Sequence, residues 1–211
     1  MKTTQPLLTL SCALAFAACL SAEGAPLVYS ENNAGEISTD GAAPTLLNFS
    51  AGMNCVSGTM GRGAVTAGVV DADIFTFSID PTFVIDSIQL KTYTAAGSTG
   101  QGSFLAIAAG STIKMDGGAT HLSNMLVGQT GELLGILSTA KRFSGGGASS
   151  ATTSSLSSPI GEGTYTLWFQ EAGQNKVDYE LCFNMTAVPE PSLFGLLSLG
   201  LAGVLLRRKR E

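Results

Sequence analysis

Through the middle of the chain, apolar and polar residues alternate with a period of two. Within 73–79, Phe75, Phe77 and Ile79 point one way while Thr76 and Ser78 point the other, the alternation that a strand with one buried face requires. Ile88 and Leu90 alternate with Ser87, Gln89 and Lys91, and Tyr165, Leu167 and Phe169 repeat the pattern within 164–170. Val177, Tyr179, Leu181, Phe183 and Met185 do so again, opposite Asp178, Glu180, Cys182 and Asn184. Shorter candidates lie at 45–49, 54–60, 103–109 and 132–137, bounded by Gly, Asn, Ser or Pro turn signals. Eight strands with one wet face and almost no helical periodicity predict an all-β, antiparallel β-sandwich over residues 26–186. The stretch 138–159 contains Gly145-Gly146-Gly147 and a Ser/Thr/Ala tract, which predicts one mobile loop with no core of its own.

The two ends read as addresses and not as parts of the fold. Lys2 precedes the apolar run 7–20 and then small residues, the layout of a secretory signal peptide over residues 1–24, with cleavage after Gly24 and passage through the Sec machinery. A second reading takes Phe16-Ala17-Ala18-Cys19 as a lipoprotein box with Cys19 acylated. At the other end, Pro189-Glu190-Pro191 precedes an uncharged run, 192–206, and then Arg207-Arg208-Lys209-Arg210. Pro191 suits the first turn of a helix, so a single transmembrane helix is predicted over 192–206. A basic cluster behind an apolar segment stays on the cytoplasmic side, which leaves the sandwich outside.

This breaker, apolar run and cationic stop resemble the PEP-CTERM sorting domain of bacteria that make exopolysaccharide. The resemblance covers residues 189–211 and rests on Pro189, Glu190 and Pro191, the run Phe194-Gly195-Leu196-Leu197, and the terminal Arg207, Arg208, Lys209 and Arg210. It implies recognition and removal of the tail by an exosortase, a membrane cysteine protease, after transient anchoring in the inner membrane. The rival reading is a plain C-terminal membrane anchor.

Charge and cysteine usage agree with an exported chain. Of 211 residues, 45% are hydrophobic and 13% charged, which suits one domain of roughly 160 residues between the two ends. Between Ala25 and Val188, six Lys or Arg stand against thirteen Asp or Glu, and so acidic a body disfavours nucleic acid. Cys12 and Cys19 fall in the leader, leaving Cys55 and Cys182. Both sit on outward positions of their strands, so they either bridge, if the first and last strands are neighbours, or remain thiols.

Groups able to do chemistry are sparse. His121 is the single histidine; a Ser-His-Asp triad would have to be built on it, no G-x-S-x-G turn accompanies it, and its polar, Gly-rich neighbourhood predicts a surface residue. One histidine and two distant cysteines do not make a zinc site. Asp71 and Asp73 project from one face of a strand entrance, which could begin a calcium site, but they supply two ligands where six to eight are needed, so a solvated entrance is the expectation. Glu162, Glu171, Asp178 and Glu180 are the remaining acids that a carboxylate pair could draw on. Gly61-Arg62-Gly63 and the glycines of 97–102 are read as turns. Trp168 falls on the polar side of its strand, where it would stack on a sugar ring or partner, or belong to a second apolar layer.

The body is similar to bacterial pre-peptidase C-terminal domains. The similarity rests on Glu36-Ile37-Ser38-Thr39-Asp40, Ala43-Pro44-Thr45, Val56-Ser57-Gly58-Thr59, Asp71-Ala72-Asp73-Ile74-Phe75-Thr76-Phe77, Gly163-Thr164-Tyr165-Thr166-Leu167-Trp168 and Tyr179-Glu180-Leu181. Ile74 stands where that family usually has an aromatic residue. The resemblance implies a jelly-roll-like accessory module. The function expected from the whole sequence is an exported, non-catalytic envelope or extracellular-matrix protein without a cofactor. A carbohydrate- or matrix-binding module, with exopolysaccharide as partner, and a hydrolase accessory protein are the alternatives.

Overall fold

A computed structural model describes residues 24–61, 71–95, 102–115, 120–139, 141–142, 152–171 and 176–189. Among these the chain forms, in order, β1 (Val28–Ser30), α1 (Glu31–Ala34), β2 (Thr45–Leu46), β3 (Gly52–Met60), β4 (Ala72–Ile79), β5 (Phe83–Ala95), β6 (Ser103–Ala109), β7 (Ser123–Val127), β8 (Gly131–Glu132), α2 (Leu134–Thr139), β9 (Lys141–Arg142), β10 (Thr152–Thr153), β11 (Gly163–Glu171) and β12 (Val177–Ala187). Two five-stranded sheets carry the fold, one ordered β1-β3-β12-β5-β8 and the other β2-β4-β11-β6-β7. The all-β reading therefore holds. The long pairs are antiparallel, while β1 joins β3 and β2 joins β4 in parallel at the two edges.

The core between the sheets is built by the period-two residues. Phe75, Phe77 and Ile79 of β4, Leu167 and Phe169 of β11, and Leu181, Phe183 and Met185 of β12 all lie in it. Phe183 meets Phe75 edge-on at 6.0 Å, and Phe49 stacks on Phe77 at 4.7 Å. Such offset and edge contacts add to burial because ring edges and faces carry opposite partial charge.

Three sequence expectations change. Residues 132–137 do not form a strand: only Gly131 and Glu132 pair, with Leu90 and Gln89, and α2 follows. The Glu132 carboxylate accepts from the backbone N–H groups of Leu134 and Gly135, at 2.8 and 3.0 Å. It satisfies donors that the first helical turn leaves open, while Leu133, Leu134 and Leu137 bury one side at helical spacing. Second, 138–159 contributes to the core through Leu156 and contains the β9–β10 pair; residues 143–151 lie outside the described set. Third, β7 pairs with β6 although its sequence lacks a clear period.

The outer face of the second sheet is also closed. Ala72, Ile74, Ala106, Ala108 and Trp168 form a second apolar cluster, capped by Ile113 and flanked by Phe104. Ile113 is held there by donating its N–H to the Gly41 carbonyl at 2.9 Å. Gly41 has no room for a Cβ against the Ile113 backbone, so a larger residue would push the two crossing segments apart.

Cys55 and Cys182 face each other across β3 and β12 and are joined by a disulfide, with Cα atoms 4.1 Å apart and a sequence separation of 127. Closing so long a loop restricts the unfolded chain strongly. Replacing both cysteines by serine is expected to cost about 2–5 kcal/mol, and Phe183→Ala about 3–5 kcal/mol through the cavity it leaves. Equilibrium denaturation of the oxidised chain reads both values, with the two effects adding if the sites are independent.

Candidate functional site

The alternation that puts Phe75 and Phe77 into the core continues backward along the chain and puts Asp73 and Asp71 on the same inward side. Both are fully buried, with 0% of their surface exposed. Neither carboxylate oxygen of Asp71 has a hydrogen-bond partner, and Asp73 has none but the Tyr179 hydroxyl. The expectation of a solvated strand entrance is thus overturned. The parity of the strand, applied two steps further, was the available signal, because a residue in register with core phenylalanines is directed away from water.

Two more acids reach this place from the N-terminal segment. α1 is a single turn, ended by Gly35 at φ 98°, a left-handed conformation that a glycine adopts without strain. The turn carries Glu31 forward over β3 and returns the chain with Glu36. Glu31 Oε2 accepts the Thr59 N–H at 2.7 Å and Oε1 accepts the Ile37 N–H at 3.1 Å, which fixes the side chain. Carboxylate oxygens of Glu31, Glu36 and Asp73 all come within 4.8 Å of one another. Beneath them β3 has Gly58; a Cβ there would stand 2.7 Å from Glu31 Oε2 and 3.0 Å from Asp73 Oδ2. The missing side chain is the space in which the acids approach. Sequence reasoning missed Glu31 and Glu36, since nothing local distinguishes them from solvated acids.

Electrostatics at this end are unfavourable to charge. Burial, and then the Glu31 carboxylate, push Asp73 up to about 9. Burial, with Glu36 and Glu31 beyond it, pushes Asp71 up to about 7. Asp71 admits no water to its own surface yet lies nearer the margin of the protein, so the same burial raises it less. Glu36 is raised by desolvation and by Glu31. Tyr179, 2% exposed, is raised well above its ordinary value by burial, by the charge of the Asp73 carboxylate and by its hydrogen bond to that carboxylate. The buried Asp71 and Asp73, the half-buried Glu31 and the exposed Glu36, gathered with one phenol and, among the described residues, with no ion pair to a lysine or arginine, offer oxygen donors of the kind a hard cation takes.

The other candidate residues are not gathered into a site. Trp168 is 8% exposed and packs against Phe104 at 4.7 Å, so of its two alternatives the second apolar layer holds and the exposed stacking platform does not; its indole N–H goes to Gln170 at 3.0 Å. His121 is 1% exposed, not a surface residue. Its ring lies 5.9 Å from Trp168 and contacts the Lys114 carbonyl and the Asn124 amide, so the aromatic layer draws in a ring that its polar sequence neighbours would leave outside. Glu171 accepts from the Ser103 hydroxyl at 2.7 Å and from Tyr93 at 3.2 Å in a buried set. Asp178 is tied at the surface to Lys176 and Thr59, and Glu162 is exposed. Glu180 lies by the Cys55–Cys182 sulfurs, which are bonded to each other and so are not thiolate ligands.

Of the sorting residues, Pro189 is exposed at the end of β12. Glu190, Pro191, the 192–206 run and Arg207, Arg208, Lys209 and Arg210 lie outside the described residues, as does the leader through residue 23. Among the described residues no helix is long and apolar enough to cross a membrane.

Comparison with known proteins matches the model of the PEP-CTERM protein-sorting motif to residues 187–210. The chain therefore carries a tail that directs export through exosortase-dependent sorting, with an exosortase as processing partner and transient membrane anchoring. No curated protein and no solved structure matches the chain. The likeness of the body to pre-peptidase C-terminal domains has no relative behind it.

Both aspartic acids hold their protons more tightly in the folded chain than in the unfolded one. Without a cation, their contribution to stability is therefore fully present below about pH 4 and is lost as pH rises through about 7 for Asp71 and about 9 for Asp73. Thermal melting in chelator is expected to show a lower Tm at about pH 8 than at about pH 5, and Asp73→Asn should flatten that slope and raise the Tm at the higher pH.

Proposed function

We propose that this protein is an exported, non-catalytic component of the cell envelope or extracellular matrix, whose sandwich is closed at one end by a calcium ion held by Glu31, Glu36, Asp71 and Asp73. The observation that carries the ion is the pair of fully buried aspartic acids, whose carboxylate oxygens have no hydrogen-bond partner but the Tyr179 hydroxyl. A divalent ion offsets the mutual repulsion of the four acids and the desolvation of Asp71 and Asp73 at once. Oxygen donors without nitrogen or thiolate favour calcium over zinc. The flexible coordination of calcium tolerates donors from a turn, a strand end and added water, whereas magnesium demands a near-ideal octahedron.

Export supports the choice, because a chain sorted by the PEP-CTERM tail works outside the cytoplasm. Leader removal after Gly24 and tail removal by the exosortase belong to the same reading, with Pro189, Glu190 and Pro191 as the recognised element and Arg207 to Arg210 as the cytoplasmic stop. The ion's role is structural: it joins the N-terminal segment of 24–40 to β3 and β4. Support for a non-catalytic role comes from the placement of His121 in the aromatic layer with Phe104 and Trp168.

Calorimetric titration of the intact chain with calcium is expected to give one saturable site, and calcium at a hundred times its Kd should stabilise the fold by roughly 3 kcal/mol. Asp73→Asn should abolish that gain; an unchanged gain overturns the ion. For sorting, mass spectrometry of the mature termini should find both ends removed in the host. Neutralising Arg207, Arg208, Lys209 and Arg210 should leave the tail uncut or the chain mislocalised.

A further inference from the structure

The sandwich makes its last backbone bond one residue short of the sorting element. β12 is a central strand, paired with β3 on one side and β5 on the other, and its ladder ends at Ala187 opposite Phe83. Val188 N–H then reaches the Thr82 carbonyl at 2.8 Å, and Pro189, which has no N–H to give, follows at the surface. The matched motif begins at residue 187, so it starts inside the folded body. Between Val188 and the uncharged run at 192–206 stand only Pro189, Glu190 and Pro191. Four residue steps span at most about 14 Å when fully extended. The run adds no slack, because a helix of its length reaches about 22 Å at 1.5 Å per residue, against a hydrocarbon core of about 30 Å.

The N-terminal end leaves by the same pole. β1 runs parallel to β3 with Val28 opposite Cys55. Before it, Ser50 Oγ donates to the Ala25 carbonyl at 2.7 Å, and Pro26 lies against Gly52, the residue opposite Met185. Either reading of the leader, a signal peptide ending at Gly24 or an acylated Cys19, therefore pulls on this pole as the tail does. Charge does not itself hold the pole to a membrane. Segments 24–27, 47–52, 79–83, 160–163 and 187–189 contain no lysine or arginine. They bring the exposed acids Asp80 and Glu162 instead, and Asp80 accepts from the Thr82 N–H and hydroxyl at 3.0 and 2.8 Å. With no basic group to draw anionic lipid, a tether has to supply the contact.

We infer that the pole carrying Pro26, Pro81, Glu162 and Val188 lies on the headgroup layer of the membrane while the tail is attached, held there by its short tether, with the long strands standing along the membrane normal. The inference rests on anchoring through 192–206. The headgroup layer, about 5–8 Å deep, takes up roughly half of the tether. Tipping the body onto the outer face of the first sheet would press Asp86, Asp178 and Glu180 against anionic lipid, where they outnumber Lys91 and Lys176. Upright, the chain presents its other pole outward. Asp178, opposite Thr94, stands nine residues up β12 from Ala187, about 30 Å away at strand spacing. Asp71 and Asp73, at the start of β4, lie at that outward end.

The test uses the chain from Ala25 onward with its tail uncut, isolated from a host without exosortase. It is placed in vesicles of phosphatidylcholine and phosphatidylglycerol that carry a nitroxide on a fraction of the headgroups. Cys55 and Cys182 are bonded to each other, so a fluorophore goes only onto an introduced thiol. Pro81→Cys on the near pole is compared with Thr94→Cys on the far pole, and Glu162→Cys repeats the near reading in case Pro81→Cys disturbs its turn. Loss of emission at the near pole with none at Thr94→Cys is expected. A flexible Gly/Ser insert of about ten residues between Val188 and Pro189 adds roughly 17 Å of reach and should restore the near-pole emission. Equal loss at both poles, or loss at neither in a vesicle-bound chain, overturns the orientation and leaves the anchor standing. Quenching that survives the insert overturns the tether. A chain that does not associate with the vesicles overturns the anchoring run and the orientation together.

Discussion

A carboxylate withdrawn from water loses hydration worth several kcal/mol, and a second one beside it adds repulsion that a low-dielectric interior does little to screen. This chain places Asp71 and Asp73 in that situation at the end of its core, with Glu31 and Glu36 above them. The rest of the structure converges on the same point. β1 and α1 are held to the sandwich by three residues of parallel pairing and by the two N–H groups that Glu31 accepts. The outer-layer segment begins at Ser38, whose carbonyl receives the Ile74 N–H. Whatever neutralises the acids therefore bears on the edge strand, the turn and the crossing segment together.

The opposite pole is satisfied without any ion. Asn54, fully buried, accepts from the N–H groups of Leu27 and Ser50 and donates to the carbonyls of Ser50 and Gly52. Every donor and acceptor of that amide is used. Two buried polar sites at the two ends of β3 thus differ in kind: one closes on itself, and the other leaves oxygens aimed at each other. The disulfide sits between them on the outer face of the same sheet.

The comparison of pattern with structure is instructive residue by residue. The alternation in β4, β11 and β12 was enough to assign both the strands and their inward faces, because a pleated strand turns every second side chain the same way. It failed for Leu133, Leu134 and Leu137, where a carboxylate two residues upstream caps a turn and tips a short apolar run into a helix. For Trp168 it left two alternatives, and the structure takes the second apolar layer. The outward side of β11 was correctly identified, but a polar-side register does not reveal that the segments holding Ser38, Gly41 and Ile113 cross over it.

The chain's own order of residues determined that it is β-rich, that its Pro-Glu-Pro, apolar and basic tail is a sorting address, and that Asp71 and Asp73 share one face. These are local properties, set by spacing of a few residues and by composition. Only the tertiary structure decided that this face is the buried one, that Glu31 and Glu36 arrive there from some 40 residues earlier, and that Cys55 stands opposite Cys182. Contacts of such sequence separation depend on which strands become neighbours and how two sheets are stacked, and that choice is made by burial of the whole apolar set rather than by any one segment.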